Sequence, residues 1–242
     1  MRIISLVPSW TEYLIDLELS DDLIGRTKFC VRAGSKAESI PIIGGTKNVH
    51  IDRIEALKPD LIIASKEEND KESVEQCSSF SEVLLTDVRT VQDALAACKE
   101  ISVATNRGKR GAHWVEQIRS AWGEPEPLYC EGCYVVWKEP MMLAGPDTFI
   151  HSVMQWWGID NTAKDLHDGR YPIVTKDQWH RMNTGRVLLP SEPFPFASKH
   201  LPEFEAKGKQ AHLVDGEAFS WYGSRMLHAA PYLKHLALDK HA

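Results

Sequence analysis

The sequence predicts an α/β fold of two lobes, each built on a mostly parallel sheet, joined by one long helix. Three observations carry this. Short β-branched apolar runs alternate with amphipathic helical stretches, the order that builds parallel sheets. One helical stretch, Gly108–Trp122, lies near the middle of the chain and is closed by Glu124-Pro125-Glu126-Pro127. The pattern of helix, turn, buried strand and acidic residues occurs twice, over residues 51–68 and 175–192. The expected boundaries are residues 1–105 for the first lobe, 106–124 for the linking helix and 125–242 for the second lobe.

The first βαβ unit occupies residues 1–27. Residues 2–7 form an apolar run expected as a buried strand, which Pro8 stops. Ser9-Trp10-Thr11-Glu12 fits a capping box, with Ser9 as the expected N-cap. Tyr13, Leu14 and Leu17 recur at helical spacing, and a second strand begins at Leu23. The loop carrying Ser9 and Trp10 then lies at the carboxyl end of the first strand, where open α/β sheets bind ligands.

Residues 29–48 read as a long irregular connection, and such connections are usually functional. Ile51, Ile54 and Leu57 mark a short helix ended by Pro59-Asp60. Leu61–Ser65 is expected as a buried strand, residues 66–77 as an acidic solvated helix, and residues 82–88 as a strand. Val91, Leu95, Cys98 and Ile101 line a helix that Asn106-Arg107-Gly108 breaks. In the second lobe a strand is expected over residues 134–137, then a turn-rich loop to Pro146 and a helix capped by Asp147 and ended by Gly158. Residues 168–172 read as a loop, Thr175-Lys176-Asp177-Gln178 as a second capping box, and Arg186–Pro190 and residues 212–214 as strands. Residues 219–225 lead into a C-terminal helix.

Bulk properties narrow the function classes. A hydrophobic content of 43% in 242 residues supports a proper core. The net charge of −6, with no basic block, argues against nucleic-acid binding. No apolar run reaches membrane-spanning length. Met1 leads directly into a strand, without a charged or apolar leader, so a mature or non-exported chain is expected. Five cysteines lack framework spacing and lean toward a reducing compartment. No GxSxG, HExxH or phosphate-loop pattern occurs, so no enzyme is expected and no catalytic residue is assigned.

Several stretches together resemble the substrate-binding proteins of ABC importers with a helical backbone (class III periplasmic binding proteins). They are RIISLVPSWTE at the start, Gly25–Cys30, GGTKN at residues 44–48, IEALKPDLIIAS at residues 54–65, AGPDTFIHSV at residues 144–153, RYPIV at residues 170–174 and the following LLPSEPFPF run. Within that class the chain is most similar to the vitamin B12-binding and iron–siderophore-binding branch. Cys130-Glu131-Gly132-Cys133 departs from the pattern of the class.

The resemblance implies a ligand held between the lobes, one per monomeric chain, with no intrinsic cofactor. Residues expected to meet it are Ser9, Trp10, Phe29, Cys30, Lys47, Trp137, Met142, Arg170, Tyr171, Trp221, Tyr222 and Arg225. Lys28, Met141 and Phe219 lie on the same expected loops. Flat aromatic and thioether surfaces suit a corrinoid such as cobalamin, haem or a ferric chelate. The resemblance also implies ABC-transporter membrane subunits as partners, with Glu68 and Glu192 meeting transporter arginines. It places the protein outside the cytoplasmic membrane; the alternatives are a cytosolic binding or sensing protein of the same fold and, after it, a metal-dependent enzyme. Cys130 and Cys133 remain open between half a zinc site, a redox pair and an incidental pair, and Cys30 is a candidate thiolate contact to a metal.

Overall fold

The computed structural model describes residues 1–32, 34–166, 169–205 and 208–238. The chain divides into two compact units. Unit 1 comprises residues 1–88, 92–120 and 222–227, and unit 2 comprises residues 89–91, 121–221 and 228–242. No helix among the described residues is long and apolar enough to cross a membrane.

Unit 1 runs β1 (Ile3–Ser5), α1 (Pro8–Asp16), β2 (Leu23–Arg26), α2 (Ser35–Glu38), α3 (Ile51–Ala56), β3 (Leu61–Ser65), α4 (Lys71–Ser78), β4 (Glu82–Thr86), α5 (Val91–Ala104) and α6 (Gly108–Trp122). Its strands order β2-β1-β3-β4, all parallel. The inner strands β1 and β3 are buried at every position. Helices cover both faces of such a sheet, so its centre reads as continuous apolar sequence rather than alternation. That is why Leu61–Ser65 is legible as a strand. Asn106, at φ 57°, separates α5 from α6, a left-handed conformation that asparagine tolerates better than most residues.

The start of α1 corrects the sequence expectation. Ser9 lies inside the helix, and the N-cap is Val7 without a side-chain cap. Pro8 occupies the first turn, where a missing N–H costs nothing. Ser9 is 3% exposed, and its hydroxyl has no partner among the described residues. The acidic stretch after β3 is also not helical throughout. Helix α4 begins at Lys71, capped by Asp70, which accepts from the Ser73 N–H at 2.8 Å. The turn before it is held by Asn69. Its Oδ1 accepts from the Ser65 N–H at 2.9 Å, and its Nδ2 donates to the Leu6 and Thr46 carbonyls.

Unit 2 runs β5 (Cys130–Trp137), β6 (Met142–Leu143), α7 (Phe149–Trp156), β7 (Ile159–Asn161), α8 (Lys176–Arg181), β8 (Arg186–Pro190), α9 (Leu201–Phe204), β9 (Gln210–Val214), α10 (Gly216–Ser220) and α11 (Arg225–Leu238). Strand order is β6-β5-β8-β9, with β7 also on β5. Only β6 is antiparallel. The Thr175–Gln178 capping box forms as expected. The cap of α7 is Thr148 rather than Asp147, its hydroxyl accepting from the His151 N–H at 3.1 Å. Gly158 ends that helix region at φ 82°, where an added Cβ would lie 2.6 Å from the Tyr129 ring. Asp168, the first residue of the expected 168–172 loop, lies outside the described residues.

Strand β5 starts at Cys130, four residues earlier than the sequence suggests, and this decides the cysteine question. In a strand, side chains three apart point to opposite faces. Cys133 is buried and Cys130 half-buried, and both are free. The pair therefore forms neither a disulfide nor two ligands of one metal, and no metal-holding cluster occurs among the described residues.

Candidate functional site

Unit 1 carries seven of the expected ligand residues, Ser9, Trp10, Phe29, Cys30, Lys47, Tyr222 and Arg225, and burial divides them. Trp10 is fully buried. Its Nε1 donates to Thr86 Oγ1 at 3.1 Å, and its ring lies 4.5 Å from that of Tyr222. It is a core residue, which corrects its placement among ligand contacts. Cys30 is 1% exposed, with its sulfur 3.0 Å from Thr11 Oγ1 and 3.2 Å from Thr27 Oγ1. Burial pushes its thiol pKa up, against the lowering effect of the threonines. It is a buried thiol, not a thiolate exposed to a metal.

Phe29 is 50% exposed, with the Lys28 ammonium 5.0 Å from its ring centre. Lys47 is exposed and donates to the Glu67 carbonyl at 2.8 Å. Tyr222 is buried, its hydroxyl 3.2 Å from Ser65 Oγ and 3.4 Å from Glu68 Oε1. Burial first, and the Glu68 charge second, hold its phenol well above the usual range. Arg225 Nε and Nη2 both donate to the Glu12 carboxylate. Glu12 is the residue the capping-box reading would have occupied elsewhere.

In unit 2, Trp137 is 40% exposed at the carboxyl end of β5. It packs edge-on to Phe194 at 5.5 Å. Met142, Arg170 and Tyr171 are half-buried, and the Arg170 carbonyl accepts from the Gly145 N–H at 2.8 Å. Trp221 is half-buried, and its Nε1 donates to Glu192 Oε1 at 2.7 Å. Burial pushes the Glu192 carboxyl pKa up, opposed by the Trp221 bond and reinforced by the Glu217 charge. Gly216 follows β9 because nothing larger fits: a Cβ there would lie 2.7 Å from the Glu192 carbonyl.

Glu68 and Glu192 are thus not freely solvated. Each is half-buried, each lies in the segment after the carboxyl end of a strand, and each bonds an aromatic donor of its own unit. The alternating pattern of residues 51–68 and 175–192 placed them correctly after β3 and β8. Tyr134 on β5 escaped the sequence reading. It is fully buried, and its hydroxyl has no partner among the described residues. Within a strand pattern only its residue type set it apart.

Thiol chemistry follows from this burial. Cys30, Cys77, Cys98 and Cys133 are buried, and burial pushes Cys77 up to about 11 and Cys98 and Cys133 up to about 12. The folded protein at pH 8 is expected to react with Ellman's reagent at Cys130 alone, the rest appearing after unfolding. Fast reaction at Cys30 would contradict its placement.

Comparison with known proteins gives a consistent picture. Residues 3–188 match the periplasmic binding protein family model. The vitamin B12-binding protein of Pectobacterium carotovorum is 24% identical, covering 95% of this chain and 85% of that protein. That of Pectobacterium atrosepticum is 27% identical over 78% of this chain and 71% of its own length. The fold matches the periplasmic vitamin B12-binding protein BtuF of Vibrio cholerae with a TM-score of 0.80 at 17% identity, covering 99% of this chain and 97% of that one. It matches the periplasmic haem-binding protein RhuT of Roseiflexus sp. RS-1 at 0.81 and 15% identity, with the same coverage. These relatives are binding proteins, not enzymes.

Proposed function

This chain belongs to the periplasmic binding protein family, and from that premise we propose that it is the substrate-binding protein of an ABC-type importer. The proposed ligand is a corrinoid of the vitamin B12 type, haem or a ferric chelate, one per chain. The location that goes with this role is the periplasm, and the partners are the importer's membrane subunits. The observation that carries the ligand class is an aromatic ring left uncovered at a strand end in each unit: Phe29 after β2 in unit 1 and Trp137 at the end of β5 in unit 2. Exposed rings of this size, with a cation over one of them, suit a broad, partly apolar ligand.

The relatives named for vitamin B12 and haem support the same class. Titration with cyanocobalamin, haem and a ferric hydroxamate, followed by tryptophan fluorescence, tests it. At least one is expected to quench saturably. No quenching by any of them, with the protein folded, would overturn the proposal.

Glu68 and Glu192 are better read as ligand-side than as docking carboxylates, because each is already bonded within its own unit. Reversing both charges is therefore expected to weaken ligand binding. Loss of transporter docking with ligand affinity unchanged would restore the docking assignment.

A further inference from the structure

The sheet of unit 1 has one edge covered and one left open. At β2, the Arg26 N–H donates to the Pro41 carbonyl at 3.0 Å and the Ile43 N–H to the Arg26 carbonyl at 2.9 Å, so residues 41–43 close that side. At the other side the strand order ends on β4. The Lys66 N–H donates to the Thr86 carbonyl at 2.9 Å, and β3 and β4 keep an unbroken parallel register from Leu61–Glu82 to Ser65–Thr86. The N–H and C=O of successive residues point to opposite sides of a strand. Those of Glu82, Leu84 and Thr86 therefore face β3, and those of Val83 and Leu85 face outward. An edge of this kind is a template for another strand. Beside it runs a groove of about 580 Å³ between β4 and α5, whose lining includes Glu82, Leu84, Leu85, Lys99, Glu100 and Val103. Leu85 is 39% exposed and Val103 68%. Glu82, Lys99 and Glu100 are exposed as well, so the rim carries both signs of charge.

We infer that the open edge of β4 is a self-association surface, which a second copy of this chain covers by pairing its own β4 antiparallel about a two-fold centred on Leu84. The inference is independent of the ligand, and it departs from the monomer that the resemblance implies. Val83 and Leu85 of one copy exchange N–H···O=C bonds with Leu85 and Val83 of the other, four in all. Leu84 meets Leu84, and Glu82 meets Thr86, so no like charges stand opposite each other in the ladder. The rim suits its own copy for the same reason: a two-fold sets Lys99 of each chain against the Glu82 and Glu100 side of the other. Leu85 and Val103 lose their exposure, and the two four-stranded sheets become one continuous sheet without an open edge at β4.

Sedimentation equilibrium of the full chain from about 1 μM to 1 mM reads the association, and a monomer–dimer equilibrium is expected. Two exposed-site variants give the rim a single sign: Lys99→Glu makes it acidic, and Glu82→Lys with Glu100→Lys makes it basic. Each alone is expected to self-associate about tenfold or more weakly than the natural protein, and an equal mixture of the two is expected to recover the dimer. The register is read by Leu84→Cys in a Cys130→Ser background. A pair without mutual hydrogen bonds has Cα atoms about 4.5 Å apart, within disulfide reach, so diamide is expected to link this variant into a covalent dimer. Leu85→Cys, which faces Val83 rather than itself, is expected to link far less. A natural chain that stays monomeric to about 1 mM overturns the inference and leaves β4 open to an extended segment of another protein. A dimer that the single-sign variants form equally well, or one that Leu85→Cys links as readily as Leu84→Cys, uses another face or register and overturns it too.

Discussion

Trp10→Ala is expected to destabilise the protein by about 4 kcal/mol, the loss that follows when a large aromatic is cut out of a core. Trp10 is wholly buried and touches groups far apart in sequence: Thr86 at the end of β4, Tyr13 one turn on, and Tyr222 near the C-terminus. Truncation removes the indole area and leaves Thr86 Oγ1 without its donor. The surrounding helix and strand ends cannot collapse onto the void without breaking their own bonds. Trp10→Phe keeps most of the ring and loses chiefly the Thr86 bond, so its cost is expected to be nearer 1 kcal/mol. Denaturant unfolding measures both. A ligand-contact role for Trp10 predicts the reverse, a folded and stable alanine variant that has lost its ligand.

Arg225→Ala is expected to cost about 3 kcal/mol, because it strands the Glu12 carboxylate. The two side chains are 22% and 14% exposed, and the guanidinium meets the carboxylate through two nitrogens. Two parallel N–H···O bonds fix orientation as well as charge. Replacing both partners, as in Arg225→Met with Glu12→Leu, removes the orphaned charge and is expected to recover more than half of the loss. The coupling from that double-mutant cycle is the quantity to measure. Coupling near zero, with ligand affinity lost in Arg225→Ala, would return Arg225 to the ligand site where the sequence had placed it.

These two residues show where sequence reasoning reached and where it stopped. Local signals were readable. The Thr175-x-x-Gln178 box, the buried run at Leu61–Ser65 and the repeated order of helix then strand at α3–β3 and α8–β8 all form as expected. Each depends on neighbours within a few positions. Ser9-x-x-Glu12 carries the same letters as a capping box, but Pro8 moves the helix start two residues earlier and puts Ser9 inside it. Glu12 then turns to Arg225, 213 positions away. Trp10 looked like a loop aromatic because its partners, Thr86 and Tyr222, arrive from a distant strand and from the connection between α10 and α11. The Cys130-x-x-Cys133 spacing suggested chelation only while it could be a turn; a strand beginning at Cys130 separates the two sulfurs. Phe29 and Trp137 are exposed, and neither is needed to complete a core.

The central claim is that the chain binds a corrinoid, haem or ferric chelate and does nothing further to it. The most direct measurement is native mass spectrometry of the folded protein after incubation with cyanocobalamin, haem and a ferric hydroxamate in turn, with the recovered ligand weighed afterwards. The account predicts one ligand per chain for at least one of the three, recovered chemically unchanged. A folded protein that retains none of them, or that returns an altered product, would contradict it.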